Sequence, residues 1–247
     1  MKKHWILFGI SGLLFAGCGG SGTDESTAKN KERDTVTVVE TPEKTLPAAK
    51  PKQDPADFVP EGFRVFEKVY GDLDKDGVKD LILIIKGTDR GNFYQDEYRG
   101  ELDRNRRGLI VLLNKKHGYE QVVKNLECFS SENEDGGVYY APELSVSVEK
   151  GKLYVHYAHG RYGYWSYTFR YNQSDFDLIG YDASENHGPI AQWITSINFL
   201  TQKKQEKENI SEDPEDEVFK ETWVKLKTKK LLQLSEIKDF DEFSLPE

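Results

Sequence analysis

Between residues 58 and 247, apolar and polar positions alternate with a period of two, as they do in strands that bury one face. Leu144, Val146 and Val148 alternate with Ser145, Ser147 and Glu149. After a Lys150-Gly151 turn the pattern resumes with Leu153, Val155 and Tyr157, which predicts a hairpin. Trp165, Tyr167, Phe169 and Tyr171 alternate in the next segment, and Val224, Leu226 and Thr228 alternate with Lys225, Lys227 and Lys229. Leu81 to Ile85 and Leu109 to Leu113 are apolar at every position and predict central strands buried on both faces. Further strands are expected at 63–70, 119–125, 176–182 and 193–200. Helical periodicity is sparse; Ser235-Glu236-Ile237 predicts one short C-terminal turn. The expected fold is mainly β, a single domain of antiparallel meander strands in a partial propeller-like or sandwich arrangement. No exact internal repeat supports a complete propeller. Residues 87–107, 130–143 and 201–217 read as long polar connections, either functional or mobile.

The first 57 residues follow other rules. Lys2, Lys3 and His4 precede an apolar run from Trp5 to Ala16, the charged start and short apolar stretch of a secretory signal. The run ends in Leu14-Phe15-Ala16-Gly17-Cys18. Small residues followed by Cys resemble the lipobox of bacterial lipoproteins. That resemblance implies a signal peptide over 1–17, cleavage before Cys18, and a diacylglycerol thioether and N-acyl chain on Cys18. Two or more acyl chains anchor a protein stably where one does not. Gly19 is not the Asp of inner-membrane retention, so the expected location is the cell envelope, at the outer membrane. Residues 19–57 contain no aromatic residue and include Pro42, Pro47, Pro51 and Pro55. Such a segment buries too little apolar surface to offset its ordering entropy, so 18–57 is expected to be a lipidated, disordered tether before a β-rich domain over 58–247.

Charge narrows the partners. With 34 Lys+Arg against 43 Asp+Glu the formal net charge is −9, the wrong sign for displacing counterions from a nucleic acid. The two cysteines cannot build a disulfide framework or a thiolate zinc site. With Cys18 lipidated, Cys128 is expected to be a small buried hydrophobe.

One motif carries specific chemistry: Asp72-Leu-Asp-Lys-Asp-Gly-Val-Lys-Asp80. Asp72, Asp74 and Asp76 at alternate positions can point into one concavity as the chain curls, and Gly77 permits the turn that returns Asp80. A hard cation such as calcium takes six to eight oxygens, and carboxylates crowded without one repel each other. An Asx-stabilised turn without an ion is the alternative. The twelfth position is Leu83, not the Glu of an EF-hand. The motif instead resembles the calcium loop of the FG-GAP repeat of integrin α-subunit propellers, whose ninth-position Asp leads into a strand as Asp80 does here. That resemblance implies a Ca2+ site built from Asp72, Asp74, Asp76, the Val78 carbonyl and Asp80. The Gly-Ala-Pro half of the repeat is absent and the loop occurs once, so the propeller fold and integrin-like adhesion are not implied. Over most of residues 62–243 the chain is similar to a group of bacterial lipoproteins that join one such loop to a glycine- and aromatic-rich hairpin. Here that hairpin is His159-Gly-Arg-Tyr-Gly-Tyr-Trp165.

In that hairpin His159, Arg161, Tyr162 and Tyr164 form a candidate ligand-binding set, since aromatics beside hydrogen-bonding groups stack on sugars or grip peptides. The plainer reading is an aromatic sheet with a Gly turn. Arg104, Arg106 and Arg107 are expected to pair with the carboxylates of their own loop, and Lys225, Lys227, Lys229 and Lys230 to protect a strand edge. No nucleophile elbow, zinc-protease helix or phosphate-cradling loop is present. The leading expectation is an outer-membrane-anchored lipoprotein whose calcium-stabilised domain binds a glycan, peptide or envelope protein. A calcium-assisted hydrolase or lyase acting on polysaccharide, and a purely structural envelope component, are the alternatives.

Overall fold

A computed structural model describes residues 54–136, 139–227 and 230–245. The signal, Cys18 and the tether up to residue 53 lie outside the described residues. Asp54 opens the described chain: its carboxylate accepts the Ala56 N–H and caps a 3-10 turn, Pro55–Phe58.

The strands in chain order are β1 (Phe63–Gly71), β2 (Asp80–Gly87), β3 (Phe93–Asp96), β4 (Gly100–Asp103), β5 (Arg107–Lys115), β6 (Gly118–Phe129), β7 (Asp135–Gly136), β8 (Tyr139–Tyr140), β9 (Glu143–Glu149), β10 (Lys152–Ala158), β11 (Gly163–Tyr171), β12 (Phe176–His187), β13 (Ile190–Asn198), β14 (Lys203–Asn209) and β15 (Phe219–Lys225). All pairings between them are antiparallel. No α-helix occurs among the described residues; the expected C-terminal turn is a 3-10 turn, Leu234–Glu236.

Two sheets carry the fold. One has four strands in the order β1-β2-β5-β6, and the other is a seven-stranded meander from β9 to β15. Ile82, Ile84, Leu109, Val111 and Val123 of the smaller sheet share one core with Val146, Leu153, Val155, Tyr157, Tyr167, Phe169 and Leu178 of the larger. The arrangement is therefore a sandwich, in which each sheet buries the apolar face that its alternation supplies. The two fully apolar runs are the central strands β2 and β5, as expected. Their other face, Leu81, Leu83, Ile85, Ile110 and Leu112, packs with Phe58, Val59, Phe63 and Tyr119. At one joint between the sheets Gly71 lies so close to β9 that a Cβ there would sit 2.3 Å from the Val148 Cβ.

Several expectations require correction. The 201–217 stretch contains β14, whose Lys-Lys-Gln-Glu-Lys-Glu-Asn sequence shows no apolar alternation. The 87–107 stretch contains the β3–β4 hairpin. The last strand ends at Lys225 rather than running through Lys229, and Leu226 turns inward to 7% exposure. Lys225 lies on β15, which pairs only with β14 among the described residues, while Lys229 lies outside them. Arg106 and Arg107 do not pair within their own loop. Arg106 reaches Asp239 at 2.8 Å, and Arg107 is a buried strand residue near Glu132, at 3.8 Å. Cys128 is buried as expected, and burial pushes its thiol pKa up, away from reactivity.

Candidate functional site

Residues 72–79 join β1 to β2. Their turns are tied by the aspartates themselves. The Gly77 N–H donates to Asp72 Oδ2 at 3.1 Å, the Asp76 N–H to Asp74 Oδ1 at 3.2 Å, and the Val78 N–H to Asp76 Oδ1 at 2.8 Å. Gly77 takes φ +87°, a left-handed conformation that glycine enters without a Cβ penalty. One oxygen of each of these three carboxylates accepts a backbone N–H; of the remaining oxygens, Asp72 Oδ1 is buried and Asp74 Oδ2 meets the Lys115 ammonium. The Asx turns and a cation cavity are thus compatible uses of the same residues.

Asp80 closes the loop. It is fully buried at the head of β2; the Leu73 N–H donates to its Oδ2 at 2.7 Å and the Asn114 N–H to its Oδ1 at 2.9 Å. It therefore clamps the start of the loop to the end of β5. Burial raises the Asp80 pKa; the two backbone N–H groups oppose that shift and the neighbouring Asp74 charge adds to it. Asp72, Asp74 and Asp80 each offer an oxygen, all within 4.8 Å of one another. Asp72 Oδ1 is buried and has no hydrogen-bond partner. A buried acceptor without a donor is costly, and a cation is the partner that also removes the repulsion. The aspartate triad could hold a metal ion. Asp76 is not among the three converging carboxylates, and its Oδ2 lies 3.6 Å from the Lys115 ammonium.

Lys115 matters for the same cavity. It sits at the end of β5 and places its ammonium directly on Asp74 Oδ2. That contact raises the Lys115 pKa, with the charges of Asp74, Asp76 and Asp80 adding to it. A positive group of the chain itself already stands at the rim. Nothing in the sequence singled out Lys115, since its meeting with Asp74 depends on the β2–β5 pairing. The loop also rests on the larger sheet, where the Lys75 stem covers Gly151 so closely that a Cβ there would lie 2.4 Å from Lys75 Cε.

The aromatic turn lies elsewhere. β10 runs from Lys152, next to the Gly151 contact, to Ala158, so the Asp loop and the turn at 159–162 flank opposite ends of a strand roughly 20 Å long. The Asp loop does not shape the turn directly. The His159 and Tyr162 rings lie 5.2 Å apart. Arg161 and Tyr162 divide two grooves. One, of about 400 Å³, is lined by Ala141, Glu143, Ala158 and His159; the other, of about 630 Å³, by Asn186, His187, Pro189, Pro214 and Glu215. His187 ends β12 and Pro214 lies between β14 and β15, both far in sequence from Arg161 and Tyr162. Tyr164 separates from the set. It lies on the outer face of the sheet with its ring 5.4 Å from that of His156.

A second polar cluster was not foreseen. Lys86, at the end of an apolar strand, is fully buried. Its ammonium donates to Glu132 Oε1 at 2.7 Å and to the Asp103 carbonyl at 2.9 Å, with Asp103 Oδ2 at 3.3 Å. The Phe66 ring lies within 5.9 Å of it and 5.5 Å of the Arg107 guanidinium.

What these features define is a class: an antiparallel β-sandwich with an acidic, cation-competent loop at one end and grooves around an aromatic turn at the other. Compared with protein-family models, curated proteins and solved structures, the chain matches none.

Proposed function

We propose that this protein is a lipid-anchored binding module of the cell envelope, probed at one end of its sandwich by ligand and stabilised at the other by calcium. The observation that carries the cation reading is Asp72 Oδ1, buried without a partner among three converging carboxylates. An all-oxygen set favours a hard cation, and calcium tolerates the irregular geometry of a loop better than magnesium does. Asp72, Asp74 and Asp80 would form the base of the site, with Asp76 and the Val78 carbonyl completing the set implied by the FG-GAP resemblance. Bound there, the ion would supply charge neutralisation and fix the β1–β2 connection. The grooves beside His159, Arg161 and Tyr162 are the ligand-binding part of the reading, because they combine flat rings, a guanidinium and concave walls. Anchoring at Cys18 to the outer membrane follows from the lipobox resemblance.

The test uses the full-length chain after chelation. Added calcium is expected to raise the melting temperature, and Asp72→Asn and Asp74→Asn to abolish that rise while leaving a folded chain. No calcium-dependent rise in the parent protein overturns the cation reading. Palmitate labelling in cells is expected to mark the parent and not Cys18→Ser; equal labelling of both would refute the anchor.

A further inference from the structure

Of the edges that the two main sheets present, three have neighbours. β1 and β9 close on each other at Gly71 and Val148. β6 is held by the C-terminal segment, whose Phe240 N–H donates to the Cys128 carbonyl at 3.0 Å. The remaining edge strand, β15, pairs only with β14 among the described residues, and each residue from Lys220 to Lys225 is exposed.

The direction of its backbone groups is fixed. The Leu226 N–H donates to the Gln202 carbonyl at 3.0 Å and the Ile210 N–H to the Val218 carbonyl at 2.8 Å, at the two ends of the β14–β15 ladder. The antiparallel register between them is unbroken. Lys220, Thr222 and Val224 therefore turn their N–H and C=O groups to β14, while Glu221, Trp223 and Lys225 turn theirs to the open side. The side chains divide as well. Val224 shares a row with Lys204 and the core residue Ile197, so Glu221, Trp223 and Lys225 stand on the outer face.

Lysines on an edge commonly repel an added strand. That accounts for Lys225 but not for its neighbours. Trp223 is 59% exposed in the middle of the edge, and its indole N–H donates to the Glu221 carboxylate. Lys225 stands directly opposite Lys203, a like-charge pair that costs stability. Neither lysine has an ion-pair partner among the described residues.

We infer that β15 receives a second copy of this chain, paired antiparallel about a two-fold axis at Trp223. In such a pair each residue meets one from its own face of the sheet, and charge selects among the registers that remain. Centring on Lys220 or Glu221 sets like charges against each other. Centring on Thr222 sets Glu221 against Trp223 and Lys225 against Phe219. Centring on Trp223 sets Glu221 against the partner's Lys225, Thr222 against the partner's Val224, and Trp223 against its own copy. The open backbone groups of Glu221, Trp223 and Lys225 then face one another, as an isologous interface requires. The partner's Glu221 also answers the repulsion between Lys203 and Lys225, and large aromatic rings are favoured at interface centres. The two seven-stranded sheets become one. This inference goes beyond the binding-module reading and stands apart from the cation loop and the lipid anchor.

The experiment is sedimentation velocity of the full-length Cys18→Ser chain, which carries no acyl group, over a series of concentrations in non-ionic detergent. A monomer–dimer equilibrium is expected. Glu221→Lys and Lys225→Glu each create two like-charge contacts across the axis, and each is expected to weaken the dimer by about tenfold or more. The double variant Glu221→Lys/Lys225→Glu is expected to restore it, because each new lysine meets a new glutamate. Lys225→Glu also relieves Lys203 within its own chain, so its melting temperature should not fall and its lost dimer is not misfolding. Trp223→Pro removes an N–H that β14 does not use and is expected to be monomeric. A parent that is monomeric at every concentration would overturn the inference. So would a dimer that survives Trp223→Pro or either single swap, or one that the double swap fails to restore.

Discussion

At the scale of single residues, the notable feature is where the chain places its own positive charges. Lys115 stands against Asp74 and near Asp76, so an incoming calcium ion must displace or outcompete an ammonium. Lys115→Met is expected to lower the melting temperature of the metal-free chain, because the triad loses its internal counter-charge. The same change should tighten calcium binding by about five- to tenfold, the equivalent of about 1 kcal/mol for a partly exposed pair. Calorimetric titration beside metal-free melting curves reads both effects. Lys86 is the opposite case, a buried ammonium held by Asp103 and Glu132. Lys86→Ala is expected to cost about 3 kcal/mol in urea unfolding, the low end for breaking a buried pair because both carboxylates still reach water. Burial pushes the Asp103 pKa up, but hydrogen bonds from Asn105 and the Lys86 charge outweigh it and hold the group below its ordinary 3.8. A carboxylate depressed in this way contributes stability that is present above 3.8 and lost as pH falls below it. Asp103→Asn should therefore melt lower at neutral pH and show a shallower loss of melting temperature below pH 3.8.

Among the elements, the joint between β1 and β9 is the tightest point. Gly71→Ala would drive its Cβ into Val148, and overpacking of this kind costs about 1–3 kcal/mol. The double variant Gly71→Ala/Val148→Ala should recover part of that loss, and a double-mutant cycle by chemical denaturation measures how much. This joint was not legible in the sequence, because the approach of Gly71 to Val148 depends on how the two sheets pack. The strands that were legible are those with one wet and one dry face, β9 to β12 above all, and the apolar runs of β2 and β5. Those that were missed have no dry face to betray them. β14 is charged or polar along its whole length, and is a strand because β13 and β15 offer backbone partners on both sides. The Asp loop was legible because its chemistry is local, five positions within nine residues. The grooves at the aromatic end were only half legible, since His187 and Pro214 reach Arg161 and Tyr162 through the folding of the sheet. The lysine pattern past Lys225 misled because alternation continues where the strand does not.

For the molecule as a whole, the last described segment decides whether the sandwich closes. Residues 230–245 have no regular strand, yet Leu234, Ile237 and Phe240 are buried in the shared core. Asn125 Nδ2 donates to the Leu234 and Ile237 carbonyls at 3.3 and 2.5 Å, the Leu178 N–H to the Leu232 carbonyl at 2.8 Å, and the Phe240 N–H to the Cys128 carbonyl at 3.0 Å. The segment is thus a strap pinned to β6 and β12, and it seals the core where seven strands face four. Aperiodic burial leaves no pattern to read, which is why only a short turn was visible here in advance. Phe240 stacks on Phe129 at 5.1 Å and meets Tyr167 edge-on at 5.0 Å. Phe240→Ala is expected to cost about 3–5 kcal/mol, the usual range for a buried aromatic. A second readout locates the damage. Burial holds the Tyr157 and Tyr167 hydroxyls protonated well above the ordinary tyrosine range near 10. A group raised in the fold contributes stability that is present below its unfolded pKa and lost as pH climbs past it, so the parent should weaken above pH 10. In the parent, tyrosinate absorbance from these two rings should appear together with alkaline unfolding. In Phe240→Ala, water reaching Tyr167 should bring part of that absorbance to lower pH while the chain is still folded. Parallel absorbance curves for the two proteins would mean that the strap does not shield Tyr167 and that the sandwich is closed by its strands alone.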